Sequence, residues 1–298
     1  MKRKEFLLFI VAASGMGIPM LARAAGRRKK MPVSLHIWVY AKNMPGYDVS
    51  PILVEIFSDL EYAGLDGVEL MEHPLRDPGN VEIIAELIDR YGVALTGTSY
   101  GADMWDRSKH SEILEDVDNI MTNLAALKAR TFGTSVGHPL GGRLKTEQEL
   151  DAQATLLLKM IEMGKRNGIV LNLHNHTYEV ENELFDLKGT LKRIPDVKLG
   201  PDLNWLLRAG LDPIWFLNEF REKIVFMHLR DQLQNGKWPE SLGEGDVDFV
   251  EIGDTLKDIG FQGDVVIELA HEKGFTPTRA LRDSIKMSRD YVRKTMGI

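Results

Sequence analysis

From Val33 to the C-terminus, short β-rich runs alternate with longer amphipathic runs, and eight such pairs can be counted. Strands that alternate with helices pair in parallel and are covered on both faces, which commits the chain to an α/β architecture. The pattern predicts strands at 33–39, 67–71, 94–99, 130–136, 169–175, 197–202, 224–230 and 265–269. Helices are expected at roughly 50–63, 80–91, 109–127, 146–167, 183–193, 212–221, 247–259 and 277–295. Eight repeats favour a closed barrel over an open doubly wound sheet, so the expected fold is a single (β/α)8 TIM barrel over residues 33–298. The punctuation agrees. Gly64, Gly92, Gly168 and Gly260 each follow a helical run, where a left-handed cap favours glycine. Pro51, Pro213 and Pro277 fall near helix starts, where a missing N–H costs little. No Pro/Gly/Ser-rich linker divides the unit, so a second domain is not expected.

Strand parity separates the two faces of each run, because successive side chains point to opposite sides. In Ile169-Val170-Leu171-Asn172-Leu173-His174, the apolar Ile169, Leu171 and Leu173 share the face that meets the helices. Asn172, His174 and His176 therefore point inward. The same logic puts Asp202 inward on the sixth run, groups His228 with Phe226 and Arg230 on the seventh, and groups Glu268 with Val266 on the eighth. Four potential metal ligands thus sit at the C-terminal ends of four consecutive strands, where barrels of this kind build their active sites. Two imidazoles and two carboxylates suit one divalent ion of Mn, Zn, Co or Fe; the set is too nitrogen-rich for a typical Ca or Mg site.

Composition narrows the chemistry further. The chain has no cysteine, which removes disulfides, thiolate zinc sites and cysteine nucleophiles together, so a metal must be held by imidazole and carboxylate. With 37 Lys and Arg against 44 Asp and Glu, the formal charge of −7 argues against nucleic acid as a partner. The N-terminus reads as an export signal. Lys2, Arg3 and Lys4 precede an apolar run at 6–13, and Ala22-Arg23-Ala24 offers a small-x-small cleavage site. Residues 1–25 are read as cleaved and 26–32 as a basic, exposed tail. Gly15, Gly17 and Pro19 interrupt a stretch already short of the ~20 apolar residues of a membrane span, so an exported, periplasmic protein with no membrane association after cleavage is expected. Arg3-Lys4-Glu5-Phe6-Leu7 loosely resembles a twin-arginine signal, with Lys4 in place of the second arginine.

Several further motifs carry a family likeness. They are Gly200-Pro201-Asp202-Leu203-Asn204-Trp205 with Ala209-Gly210-Leu211-Asp212-Pro213, Met227-His228-Leu229-Arg230-Asp231, Leu242-Gly243-Glu244-Gly245-Asp246-Val247-Asp248-Phe249 and Val266-Ile267-Glu268. In this order they resemble the sugar phosphate isomerase/epimerase family of xylose isomerase-like TIM barrels, over nearly all of the chain from Val33 onward. The resemblance implies a divalent metal held at the barrel mouth, with Asp202, His228 and Glu268 matching the ligands of strands six, seven and eight. It also implies a small-molecule sugar or keto sugar as partner; a homo-oligomer stays open. Strand five departs from the pattern. Many relatives carry glutamate there, followed by Asn-His, and this chain has His174-Asn175-His176. The resemblance assigns two opposed glutamates to proton transfer in the epimerases, and here only Glu268 remains of that pair.

A metal-bound imidazole is a poor base, so His174 is read as a ligand, with His176 or Glu69 available for proton work. Trp38, Tyr40 and Trp205 could form a platform for a sugar ring or simply pack the mouth. His138 lies at the mouth by position, and Arg230 is read either as a substrate contact or as the partner of Asp231. No glycine-rich loop opens onto a basic residue as a phosphate site would require. The expected function is enolisation of a sugar or keto sugar with a lean toward keto-sugar hydratase or lyase chemistry, because strand five lacks its glutamate. The alternatives are a sugar isomerase or epimerase proper, and a non-catalytic periplasmic sugar-binding barrel. An abasic-site endonuclease on the same fold needs histidine ligands on strands two and three, where this chain has Glu69 and Ser99-Tyr100.

Overall fold

The computed structural model describes residues 31–298. The segment read as an export signal, and the tail as far as Lys30, lie outside the described residues. Met31 and Pro32, read above as part of an exposed tail, are instead tied to the barrel: the Met31 carbonyl accepts from Arg293 and the Pro32 carbonyl from the Val265 N–H.

Eight parallel strands follow one another: β1 (Val33–His36), β2 (Gly67–Met71), β3 (Ala94–Gly101), β4 (Thr131–Ser135), β5 (Val170–Leu173), β6 (Lys198–Leu199), β7 (Phe226–Leu229) and β8 (Asp264–Glu268). Each pairs with its sequence neighbour from β1 through β6, β8 pairs with both β1 and β7, and single parallel bridges at Leu199–Ile224 and Asp202–His228 join β6 to β7. The sheet is therefore a barrel whose last seam is held by two bridges, one of them between two candidate ligands. The helices are α1 (Trp38–Ala41), α2 (Leu53–Ala63), α3 (Pro78–Tyr91), α4 (His110–Ala126), α5 (Glu147–Asn167), α6 (Thr177–Arg193), α7 (Leu203–Arg208), α8 (Pro213–Glu219), α9 (Phe249–Asp258) and α10 (Leu281–Met296). Gly64, Gly92 and Gly168 take the left-handed conformation after α2, α3 and α5. Among the described residues no helix is long and apolar enough to cross a membrane.

The core lies between sheet and helices. Val33, Leu35, Val68, Leu70, Leu171, Leu173, Val265 and Ile267 point outward into one continuous apolar cluster. The barrel interior is smaller and more polar. An added Cβ at Gly133 would stand 3.5 Å from a Glu69 carboxylate oxygen and 3.6 Å from the Asn172 amide oxygen. At Gly200 it would meet that amide oxygen at 2.0 Å, so the residue that opens the Gly-Pro-Asp motif is glycine because Asn172 fills its side-chain space.

Three expectations shift. β1 ends at His36 and the chain turns into α1 through Tyr40 and Ala41 N–H bonds to the Ile37 carbonyl, so Trp38 and Tyr40 are helical rather than on a strand. Pro277 does not open a helix; α10 starts at Leu281 after an extended Ala280. Helix α6 begins early, at Thr177, but is broken by an extended Glu181 and left-handed Asn182, Glu183 and Leu184, and resumes close to the expected start at 183.

Candidate metal centre and substrate cleft

The ends of β5, β6 and β7 are locked together by hydrogen bonds that centre on Asp202. Asp202 caps α7: one of its oxygens accepts from the Asn204 N–H at 2.8 Å and the Trp205 N–H at 3.3 Å. Its backbone N–H donates to the Asn175 amide oxygen at 3.2 Å, and its carbonyl accepts from the Asn175 amide nitrogen at 3.3 Å. The middle residue of His174-Asn175-His176 therefore fixes β5 against Asp202. The His228 N–H donates to the Pro201 carbonyl at 2.9 Å, which completes the alignment with β7.

On this frame, ligand atoms of His174, Asp202 and His228 lie within 4.8 Å of one another. Glu268 falls outside that cluster of three, but its carboxylate stands 3.1 Å from His228 Nδ1. The groups fit a shared cation. His174 Nδ1 is buried with no hydrogen-bond partner, and burial together with the neighbouring His228 and His176 holds this imidazole well below its ordinary pKa, hence neutral with a free lone pair. Burial alone would lower the pKa of His228 as well, but Glu69 and Glu268 outweigh it and raise it to about 10. His228 Nε2 stands 2.5 Å from a Glu69 oxygen. A metal held by this imidazole would take the place of one proton, while Glu69, 2.5 Å from Nε2, orients the ring.

Arg230 supplies the positive charge beside Asp202 and Glu268. Its guanidinium contacts the Asp202 carboxylate at 3.2 Å and also pairs with Glu268. Against the cost of burial, Arg230, then His36 and His228, keep Glu268 well below the usual carboxylate range, whereas burial dominates at Asp202 and raises it.

Above these groups opens a cleft of about 500 Å3, lined among others by Trp38, His174, His176, Trp205, His228, Arg230 and Glu268. Its size lies within the ~300–1,000 Å3 range of small-molecule sites. His176 stands at the start of α6, its N–H donating to Glu179 at 2.6 Å. Burial would lower its pKa, but the Glu179 carboxylate prevails and raises it.

The structure corrects four expectations about single residues. Glu69 is buried beneath His228 and does not line the cleft, so it orients the imidazole and is not placed to exchange a proton with a sugar. His138 misses the cleft: left-handed Gly137 turns the chain against Ala102 and Asp103, and the His138 ring rests 5.1 Å from Tyr178. Tyr40 is buried with its hydroxyl donating to Asp59 at 2.8 Å, which removes it from any sugar platform. Arg230 does not pair with Asp231. The Asp231 carboxylate instead accepts the backbone N–H groups of Gln232, Gly243, Gly245 and Val247, so the Gly-Glu-Gly loop is wound around it. A Cβ at Gly245 would stand 2.2 Å from Asp231 Oδ1. We expect Gly245→Ala to destabilise the protein by about 1–3 kcal/mol through this overpacking, read as a lower urea midpoint at unchanged slope.

Sequence reasoning passes over His36, Ser99, Trp238 and His271, all of which line the cleft. His36 Nε2 lies 2.8 Å from Ser99 Oγ, its Nδ1 accepts from the Trp38 N–H at 3.2 Å, and its ring stands 5.1 Å from that of His228.

A family model for xylose isomerase-like TIM barrels matches residues 57–291, and the chain belongs to that family. Among solved structures it is similar to the D-psicose 3-epimerase of Clostridium cellulolyticum H10, with 13% identity, TM-score 0.71, and coverage of 89% of this chain and 99% of that one. It is also similar to an L-ribulose 3-epimerase, with 18% identity, TM-score 0.73, and coverage of 90% and 95%. A third is the 3-keto-D-glucoside 4-epimerase of E. coli, with 18% identity, TM-score 0.68, and coverage of 88% and 100%. No curated protein sequence matches the chain.

Proposed function

We propose that the protein is a divalent-metal-dependent enzyme that enolises a sugar or keto sugar, in the isomerase or epimerase class. The observation that carries this reading is the convergence of His174, Asp202 and His228 next to Glu268, at the floor of a cleft with tryptophans in its walls. A divalent cation bound there would polarise a sugar carbonyl and acidify the neighbouring C–H. Glu268 is held as a carboxylate at the cleft and serves as the base. His176, whose pKa is raised, lines the same cleft and serves as the proton donor. Trp38 and Trp205 offer apolar walls to the sugar ring, and Arg230 fixes the orientation of Asp202 and Glu268.

The names of the three structural relatives favour isomerase or epimerase chemistry over the hydration or elimination suggested by the missing strand-five glutamate. That second reading keeps one observation in its favour: strand five ends in a neutral imidazole, His174, and not in a second carboxylate base. The test is solvent-deuterium exchange by manganese-loaded protein on ketohexoses and 3-keto-glucosides, with product masses recorded. Deuterium gain at unchanged formula is expected. A change of one water assigns hydratase or lyase chemistry instead, and tight binding without exchange would mark a binding barrel.

A further inference from the structure

Trp205 lines not only the cleft but also a second, more open pocket of about 720 Å3, formed where the loops after β5, β6, β7 and β8 meet. Its wall is built and braced. Trp238 Nε1 donates to the Asn204 amide oxygen at 2.9 Å, and the Arg208 guanidinium stacks 4.0 Å from the Trp238 ring centre while donating to the Gly236 carbonyl at 2.6 Å. The Leu233 N–H closes the 233–237 turn on the Lys237 carbonyl at 2.8 Å, with Gly236 at φ +79° supplying the left-handed step. Trp205 and Trp238 stand perpendicular with ring centres 6.0 Å apart; Trp205 borders both pockets and Trp238 the inner cleft.

The charge of the outer pocket runs against that of the chain. Arg208, Lys237 and Lys273 line it against the single carboxylate of Glu272, a local balance of +2, whereas the whole chain carries −7. Glu272 leans toward Arg208 at 3.7 Å, and neither lysine has an ion-pair partner among the described residues. An open pocket with surplus ammonium groups, sharing the Trp205 side chain with a sugar-sized cleft, selects an anionic and hydroxylated ligand.

We propose that the outer pocket is a second sugar subsite and that the substrate is an acidic glycoside. The reacting keto sugar occupies the inner cleft, and a carboxylate-bearing unit joined to it lies beyond Trp205 against Arg208, Lys237 and Lys273. This assignment rests on the enolising function proposed above. It explains why the wall beyond Trp205 is anchored to the same helix, α7, that Asp202 caps: a ligand that fills both pockets presses on the element that holds the site.

The experiment is calorimetric titration of the manganese-loaded protein with two unoxidised analogues, cellobiose and cellobiouronic acid. The acidic disaccharide is expected to bind at least tenfold more tightly at low salt. That advantage should fall to within twofold in Lys237→Ala/Lys273→Ala and shrink in 0.5 M NaCl, since exposed charge contacts are screened. Equal affinities, an advantage that survives the double variant, or no measurable binding of cellobiouronic acid overturns the proposal. Comparing two ligands within one variant guards against a folding defect. Neither analogue carries the reactive carbonyl, so binding is read apart from chemistry. Failure of the enolising function would appear separately, as absent deuterium exchange on keto sugars.

Discussion

The double variant Asp202→Asn/Glu268→Gln is expected to lose its bound divalent metal and to turn over keto sugars about a thousandfold more slowly, a loss of roughly 4 kcal/mol of transition-state stabilisation. Both substitutions keep shape and remove charge. Asp202 retains its role as the cap of α7, because an amide oxygen can still accept from the Asn204 and Trp205 N–H groups. What disappears is the negative charge that holds a cation near His174 and His228. The same change leaves Arg230, now paired with both carboxylates, without a counter-charge in a buried position, so some loss of stability accompanies the loss of metal. Elemental analysis of the purified variant, with circular dichroism as a check on folding, reads the result. A folded double variant with undiminished metal content would refute the assignment of these two residues as ligands.

The fold is legible because period and punctuation agree over the whole barrel. Eight β-rich runs, each followed by an amphipathic one, admit few arrangements, and parity alone puts His174, Asp202, His228 and Glu268 on inward faces. What parity does not give is depth or where a strand ends. Glu69 and Glu268 both point inward, yet the Glu69 carboxylate is buried against His228 and outside the cleft lining, whereas Glu268 faces the cleft. Strand β1 shows the other difficulty. Val33 and Leu35 point outward and Ser34 and His36 inward, so His36 meets the same test as His174, but a β-rich run that continues to 39 points to Trp38 and Tyr40 and away from the true strand end. Arg230 and Asp231 mislead because adjacent residues of opposite charge suggest each other, whereas just past the end of β7 Arg230 turns to Asp202 and Glu268 while Asp231 turns to the backbone of the 243–247 loop. The ring of backbone donors around Asp231 depends on a loop twelve to sixteen residues further on, which no local pattern reveals.

The Glu69–His228 pair supplies the second large effect. Glu69→Leu is expected to destabilise the protein by about 3–5 kcal/mol, because it leaves a buried imidazole short of one of its two carboxylates. For a chain of this length that corresponds to a melting temperature lower by roughly 10 °C. Manganese affinity should fall about 10–100-fold, the usual consequence of losing the group that orients a metal-binding histidine. Glu69→Gln, which keeps an acceptor near His228 Nε2, should lose distinctly less of both. The deciding comparison is Glu69→Leu/His228→Leu. If the damage in the single variant comes from a stranded charge and not from a cavity, removing the imidazole as well should restore much of the lost stability, since buried ion pairs are often replaced by apolar side chains at little cost. That double variant would melt above Glu69→Leu while binding manganese more weakly still. A double variant no more stable than Glu69→Leu would mean that Glu69 holds the barrel interior by packing alone, and its role in orienting His228 would have to be given up.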